Sequence, residues 1–151
     1  MRQYRERLRV PLSWWLIPPA ATVSVWLAVQ HVYGPWVSIP AAAGVLLLSS
    51  LGLVGYGAVV VAVEPDGFVA GRARLPLWVV GDVAALSTDR ARAARGPAAD
   101  PRAFLLVRGY IGPMVQVTVE DSADPVPYWL VSTRHPDQLA AALSAARDAV
   151  R

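Results

Sequence analysis

From Val10 to Val63 the chain contains no Asp, Glu, Lys or Arg. An uncharged run of that length has few stable destinations. A bilayer crossing takes about 20 mostly apolar residues, so the run holds two helices and a turn. Each buried Leu, Ile, Val or Phe favours insertion by roughly 0.3–0.6 kcal/mol, and a central charge would oppose it by about 3 kcal/mol. The sequence around His31-Val-Tyr-Gly-Pro-Trp36 breaks the run, because Gly34 and Pro35 punctuate helices. The expected spans are about 12–32 and 37–56, with a turn over 33–36. Trp14, Trp15, Tyr33 and Trp36 are the expected interface anchors, since amphipathic rings settle at headgroup level.

Pro18 and Pro19 fall inside the first expected span and predict a kink there. The first apolar stretch is far longer than the 7–15 residues of a signal peptide, and a second follows at once. A retained hairpin is the expected outcome. The second span carries Gly44, Gly52, Gly55 and Gly57, which suit close helix approach, within the hairpin or in self-association; packing within the hairpin is the expected role. Gly52–Gly57 lacks the lysine and the preceding strand of a phosphate loop.

Every basic residue is an arginine. Arg2, Arg5, Arg7 and Arg9 precede the spans, Arg72 and Arg74 follow them, and the turn has none. The positive-inside rule then predicts a multi-pass membrane protein with both termini cytoplasmic and the turn outside. Net charge is +3, but the arginines are scattered and no recognition motif accompanies them, so nucleic acid is not an expected partner. Charged residues make up only 17% of the chain against 55% hydrophobic, which excludes a disordered polypeptide. With no cysteine there is no disulfide framework, thiolate metal site or cysteine nucleophile.

After Tyr56 the pattern becomes strand-like. Val59–Val63 is β-branched, Glu64–Gly67 is turn chemistry, and Phe68–Leu75 returns as a strand. Leu77–Leu86 is a further strand with a bulge at Gly81, and 87–102 reads as an exposed loop. Phe104–Tyr110 and Met114–Glu120 are expected to pair as a hairpin around Gly112-Pro113. An acidic loop over 121–127 leads to a last strand, Tyr128–Ser132. Pro136 opens a C-terminal helix whose Leu139, Leu143, Ala146 and Val150 share one face. The expected fold is therefore α+β. A basic flank (1–11) and a transmembrane hairpin (12–56) precede a small antiparallel-sheet cytosolic domain (57–151). Its C-terminal helix makes it pleckstrin-homology-like by analogy.

Two stretches carry a family resemblance: Tyr4-Arg-Glu-Arg-Leu-Arg-Val-Pro-Leu-Ser-Trp-Trp15 and Pro127-Tyr-Trp-Leu-Val-Ser-Thr-Arg-His-Pro136. Together with the Gly-Pro-Trp turn and Ala103-Phe-Leu-Leu-Val-Arg-Gly-Tyr110, they resemble the small actinobacterial membrane proteins catalogued as domain of unknown function 3093. The resemblance spans nearly the whole chain. It implies a plasma-membrane protein with two spans and a small cytosolic domain, and supplies no catalytic residues.

The candidate chemistry is sparse. Ser132, Arg134 and His135 are adjacent in sequence, which is not how a nucleophile, base and orienter assemble, and no G-x-S-x-G elbow is present. His31 and His135 are expected on opposite membrane faces. Glu120, Asp121 and Asp124 lack the spacing of a calcium loop. No cofactor is expected. Arg72, Arg74, Arg108 and Arg134 are the candidate contacts for an anionic lipid headgroup or small anion. The expected function is a membrane-tethered interaction or scaffold domain, not an enzyme. Its partners are the bilayer, and an unidentified protein or a second copy of the chain.

Overall fold

The computed structural model describes residues 4–96, 99–121 and 123–150. Arg2, one of the four N-terminal arginines, lies outside them, as do Pro97, Ala98 and Ser122 in the two loops. The chain forms two compact units, one of Arg9–Ala58 and one that joins the residues through Leu8 to those from Val59 onward.

The first unit is a pair of helices. A 3-10 turn, Leu12–Leu16, runs into α1 (Ile17–Tyr33), and α2 spans Pro35–Tyr56. Gly34 alone separates the helices, at φ 73°, a conformation that suits glycine. The expected turn over 33–36 is thus one residue, because Pro35 is itself the first residue of α2. Pro18 and Pro19 sit in the first turn of α1, where a missing N–H costs nothing, so the expected mid-span kink has no cause there. The proline within a helix is Pro40 of α2. Near the turn, the buried Ser38 hydroxyl donates to Gln30 Oε1 across the two helices. At the open end Trp14 stacks on Tyr56 at 6.2 Å.

The α2 glycines do not pack the pair together. A Cβ built on Gly44, Gly52 or Gly55 would meet nothing within 4 Å. Only Gly57 is crowded, by Val10 at 3.0 Å. The expectation that these glycines serve packing within the hairpin is corrected for all but that last position.

The described residues of the second unit form two four-stranded sheets and two α-helices. The first sheet runs β1 (Tyr4–Arg7), β2 (Val60–Glu64), β3 (Gly67–Ala70) and β4 (Ala73–Leu75), all antiparallel. The residues read as a basic flank are its edge strand. Tyr4 pairs with Val63 and Arg7 with Val60, so the helical pair is an insertion between two paired strands. The expected single strand over 68–75 is a hairpin, because Gly71 at φ 66° turns the chain.

The second sheet has the order β5-β7-β8-β6, with β5 Val80–Leu86, β6 Phe104–Leu106, β7 Met114–Val119 and β8 Tyr128–Ser132. Its register shifts between Val80 and Val83, at the bulge expected beside Gly81. The expected β6–β7 hairpin does not form. β8 lies between them and pairs antiparallel with β7 and parallel with β6. The reason is burial: Trp129, Leu130, Val131 and Ser132 are all covered, so β8 takes a central place with both faces packed. The loop expected over 87–102 contains α3 (Thr88–Ala94), whose Ala91 packs with Leu130 and Met114 on the outer face of that sheet.

The core lies between the sheets. Val61, Val63, Phe68 and Leu75 meet Val115, Val117, Trp129 and Val131, and Trp129 bridges Phe68 and Phe104 at ring-centroid distances of 6.0 and 4.2 Å. α4 (Pro136–Asp148) closes it with Leu139, Leu143 and Ala146. Val150 departs from the expected face, since it follows the end of the helix and is exposed.

Candidate functional site

β1 alternates. Tyr4, Glu6 and Leu8 turn inward, and Arg5 and Arg7 are exposed on the other face. This period of two, written in charge, was the signal for a strand that a basic-flank reading overlooks. The inward face of β1 meets the junction between β8 and α4 and builds a polar cluster there.

Glu6 is its centre, with a side chain only 10% exposed. One carboxylate oxygen accepts from the Tyr4 hydroxyl at 2.8 Å and from the Thr133 hydroxyl. The other accepts from the Arg134 backbone N–H at 3.1 Å and lies 3.6 Å from the Arg134 guanidinium. Burying a carboxylate is costly unless its lone pairs are filled. Here four groups converge on it. Burial is the main cause that pushes the Tyr4 hydroxyl up to about 12; the Glu6 carboxylate adds to the rise and the Thr133 hydrogen bond opposes it. Tyr110 donates to the Leu8 carbonyl at 2.6 Å, and the Arg134 guanidinium carbon stands 5.9 Å from the Tyr110 ring centroid. The buried Ser132 hydroxyl accepts from the Arg108 backbone N–H at 2.9 Å.

The four candidate arginines divide between two places. Arg134 joins this cluster through its backbone N–H and guanidinium, and Arg108 borders it through the backbone N–H that it gives to Ser132. Arg72 lies in the β3–β4 turn, and Arg74 on β4 pairs with Glu64 at 2.9 Å and Asp66 at 3.6 Å. β1 and β4 are opposite edges of the sheet, separated by three strand spacings or about 14 Å. The structure does not bring the four to one pocket. Ser132 is buried, whereas His135 is exposed. Asp121 and Asp124 each cap a turn, accepting from the Ala123 and Val126 N–H groups at 2.9 Å. A shallow groove at the starts of α3 and α4 is lined by Arg90 and Asp137 with Ala85, Leu86, Ser87 and Pro136. Its two charges oppose each other.

Of the expected anchors, Trp14 stacks on Tyr56, and Trp15, Tyr33 and Trp36 are exposed on the helical pair. Among the described residues, no group of three His, Asp or Glu side chains could hold a metal ion.

These features define a class: an α+β domain with a pair of long apolar helices inserted after its first strand. The model of the family described as protein of unknown function DUF3093 matches residues 3–143, and the chain belongs to that family. No curated protein and no solved structure matches the chain. The two sequence stretches that carry the resemblance meet in space: Tyr4 and Glu6 come from the first, and Thr133 and Arg134 from the second.

Proposed function

We propose that the protein is a membrane-tethered interaction module, with the helical pair crossing the plasma membrane and the α+β unit held at its cytoplasmic face. One observation carries this reading. The two helical segments, Leu12–Tyr33 and Pro35–Tyr56, each run 22 residues, and only 6% and 11% of their most apolar windows are buried. At 1.5 Å per residue each reaches about 33 Å, enough for a hydrocarbon core of about 30 Å. Leu12, Trp36 and Leu48 are 88%, 91% and 71% exposed, an arrangement that lipid tolerates and water does not.

The arginines support the orientation, since Arg5, Arg7 and Arg9 precede the helices, Arg72 and Arg74 follow, and none lies at the turn. Binding is favoured over catalysis because the hydroxyls and carboxylate of the polar cluster are already engaged with one another. Two sheets closed by a C-terminal helix support the pleckstrin-homology-like analogy, from which the parallel β6–β8 pair is a departure.

Alkaline carbonate extraction and flotation of the full chain test the reading. The protein should stay with the membrane fraction at high pH and float with lipid. Recovery in the aqueous fraction without detergent overturns it. Crosslinking in native membranes should then recover a recurrent protein partner, and random neighbours alone would count against the interaction role.

A second reading, binding of an anionic headgroup or small anion, has its own support. Arg5, Arg7 and Arg72 are exposed and have no ion-pair partner among the described residues.

A further inference from the structure

The first sheet is polarised along its strands. At one end Arg7 pairs in register with Val60, and the Gly71 N–H donates to the Val60 carbonyl at 2.9 Å, which brings the β3–β4 turn and Arg72 to the same rim. This is the end where the chain departs after Leu8 and returns at Val59, whose carbonyl accepts from the Leu8 N–H at 2.9 Å. At the other end the β2–β3 turn carries Glu64 and Asp66, and Arg74 reaches toward them. The rim where the chain leaves and returns thus carries two exposed arginines with no ion-pair partner among the described residues, and the far end is close to neutral.

The outer face behind the rim is apolar in the middle and charged at its edges. Arg5, Ala62, Val69 and Arg74 form one row across the four strands, and Val60 lies beside Arg7. Ala62, Val69 and Val60 belong to neither core cluster.

Connectivity fixes what such a rim meets. Leu12 follows Leu8 by four positions and Val59 follows Tyr56 by three, tethers of at most about 14 and 11 Å. We infer that Arg7 and Arg72 form a headgroup-binding rim that takes the phosphates of acidic lipids in the leaflet the helices enter. The inference rests on the membrane-spanning reading and names a ligand for it. Lipid is favoured over an acidic protein because both tethers hold the rim within reach of a surface whose anionic lipids attract each nearby arginine. Bidentate guanidinium–phosphate contact supplies the geometry.

The test uses the full chain in lipid nanodiscs, of neutral phosphatidylcholine or of phosphatidylcholine with phosphatidylglycerol. Phenylglyoxal modification of each arginine is followed by mass spectrometry. Arg7 and Arg72 should react about fivefold more slowly in the acidic discs, with the difference lost at high salt. Arg92 on α3, 75% exposed, should react equally in both. Equal rates at Arg7 and Arg72 in the two discs overturn the inference. So does equal protection in neutral discs by soluble glycerol phosphate or polyglutamate, which would assign the rim to a free phosphate or an acidic protein. Failure of the chain to co-elute with either disc refutes the membrane-spanning reading itself, and the rim assignment with it.

Discussion

The Thr133 hydroxyl donates to the Glu6 carboxylate across 127 positions of sequence. The entire helical pair leaves and returns between the two residues. β1 is an edge strand of four residues, and its ladder to β2 alone would hold it weakly. Glu6 fastens its inner face to the β8–α4 junction, so the strand that leads into the helices is pinned on two sides.

Thr133→Val should show the value of that contact. It removes a donor from a carboxylate that is 10% exposed, along with the acceptor for the His135 N–H at 3.1 Å. Leaving such groups unsatisfied costs about 1–3 kcal/mol. The denaturant midpoint of the detergent-solubilised chain should fall accordingly, with Thr133→Ser close to wild type. An unchanged midpoint for Thr133→Val would show that Glu6 is held without it.

Tyr4 gives the cluster an alkaline signature. Its hydroxyl titrates near 12 in the folded chain, raised from 10.0 mainly by burial. Between those values the unfolded chain releases the proton and the folded chain keeps it, so stability declines as pH rises. The contribution is fully present below pH 10 and lost through about 12. Tyr4→Phe should remove that component of alkaline unfolding, and tyrosinate absorbance should show one fewer late-titrating group. Identical alkaline profiles for the two proteins would contradict this.

Much of this architecture could be read from residue types because it follows one-dimensional rules. The uncharged run gave two long apolar helices, and the 139/143/146 spacing gave α4. Pairing is not one-dimensional. Phe104–Leu106 and Met114–Val119 are separated by a Gly-Pro turn and look like a hairpin, yet full burial of β8 decides that it stands between them. The polar cluster was out of reach for the same reason, since its halves come from opposite ends of the chain and Glu6 was masked by the arginines around it. The α2 glycines mislead in the other direction, because small residues mark a possible close approach without saying which neighbour fills it.

Glycine substitutions should separate these cases. At Gly67 a Cβ would lie 2.7 Å from the Leu75 carbonyl oxygen and 3.2 Å from the Arg74 stem. Gly67→Ala must therefore push β3 from β4, at about 1–3 kcal/mol of overpacking strain. Gly44→Ala and Gly52→Ala meet nothing and should leave thermal unfolding of the detergent-solubilised protein unchanged or slightly raised, since Ala suits a helix interior better than Gly. A loss at Gly44 or Gly52 comparable to that at Gly67 would mean that α2 packs against something beyond α1.

The end of α4 can be located by truncating side chains along its expected seam. Leu143 is fully buried against the sheets, and Val150 is 52% exposed beyond the last helical turn. Leu143→Ala should cost about 2–5 kcal/mol, since the sheets cannot close over the space left behind. Val150→Ala should stay within about 0.5 kcal/mol. Hydrogen exchange on the full chain adds an independent measure: amides around Leu143 should be protected to near the global stability, and those after Asp148 should exchange early. Equal costs at the two positions, with equal protection, would extend the helical seam through Val150 and make all four apolar positions one buried face.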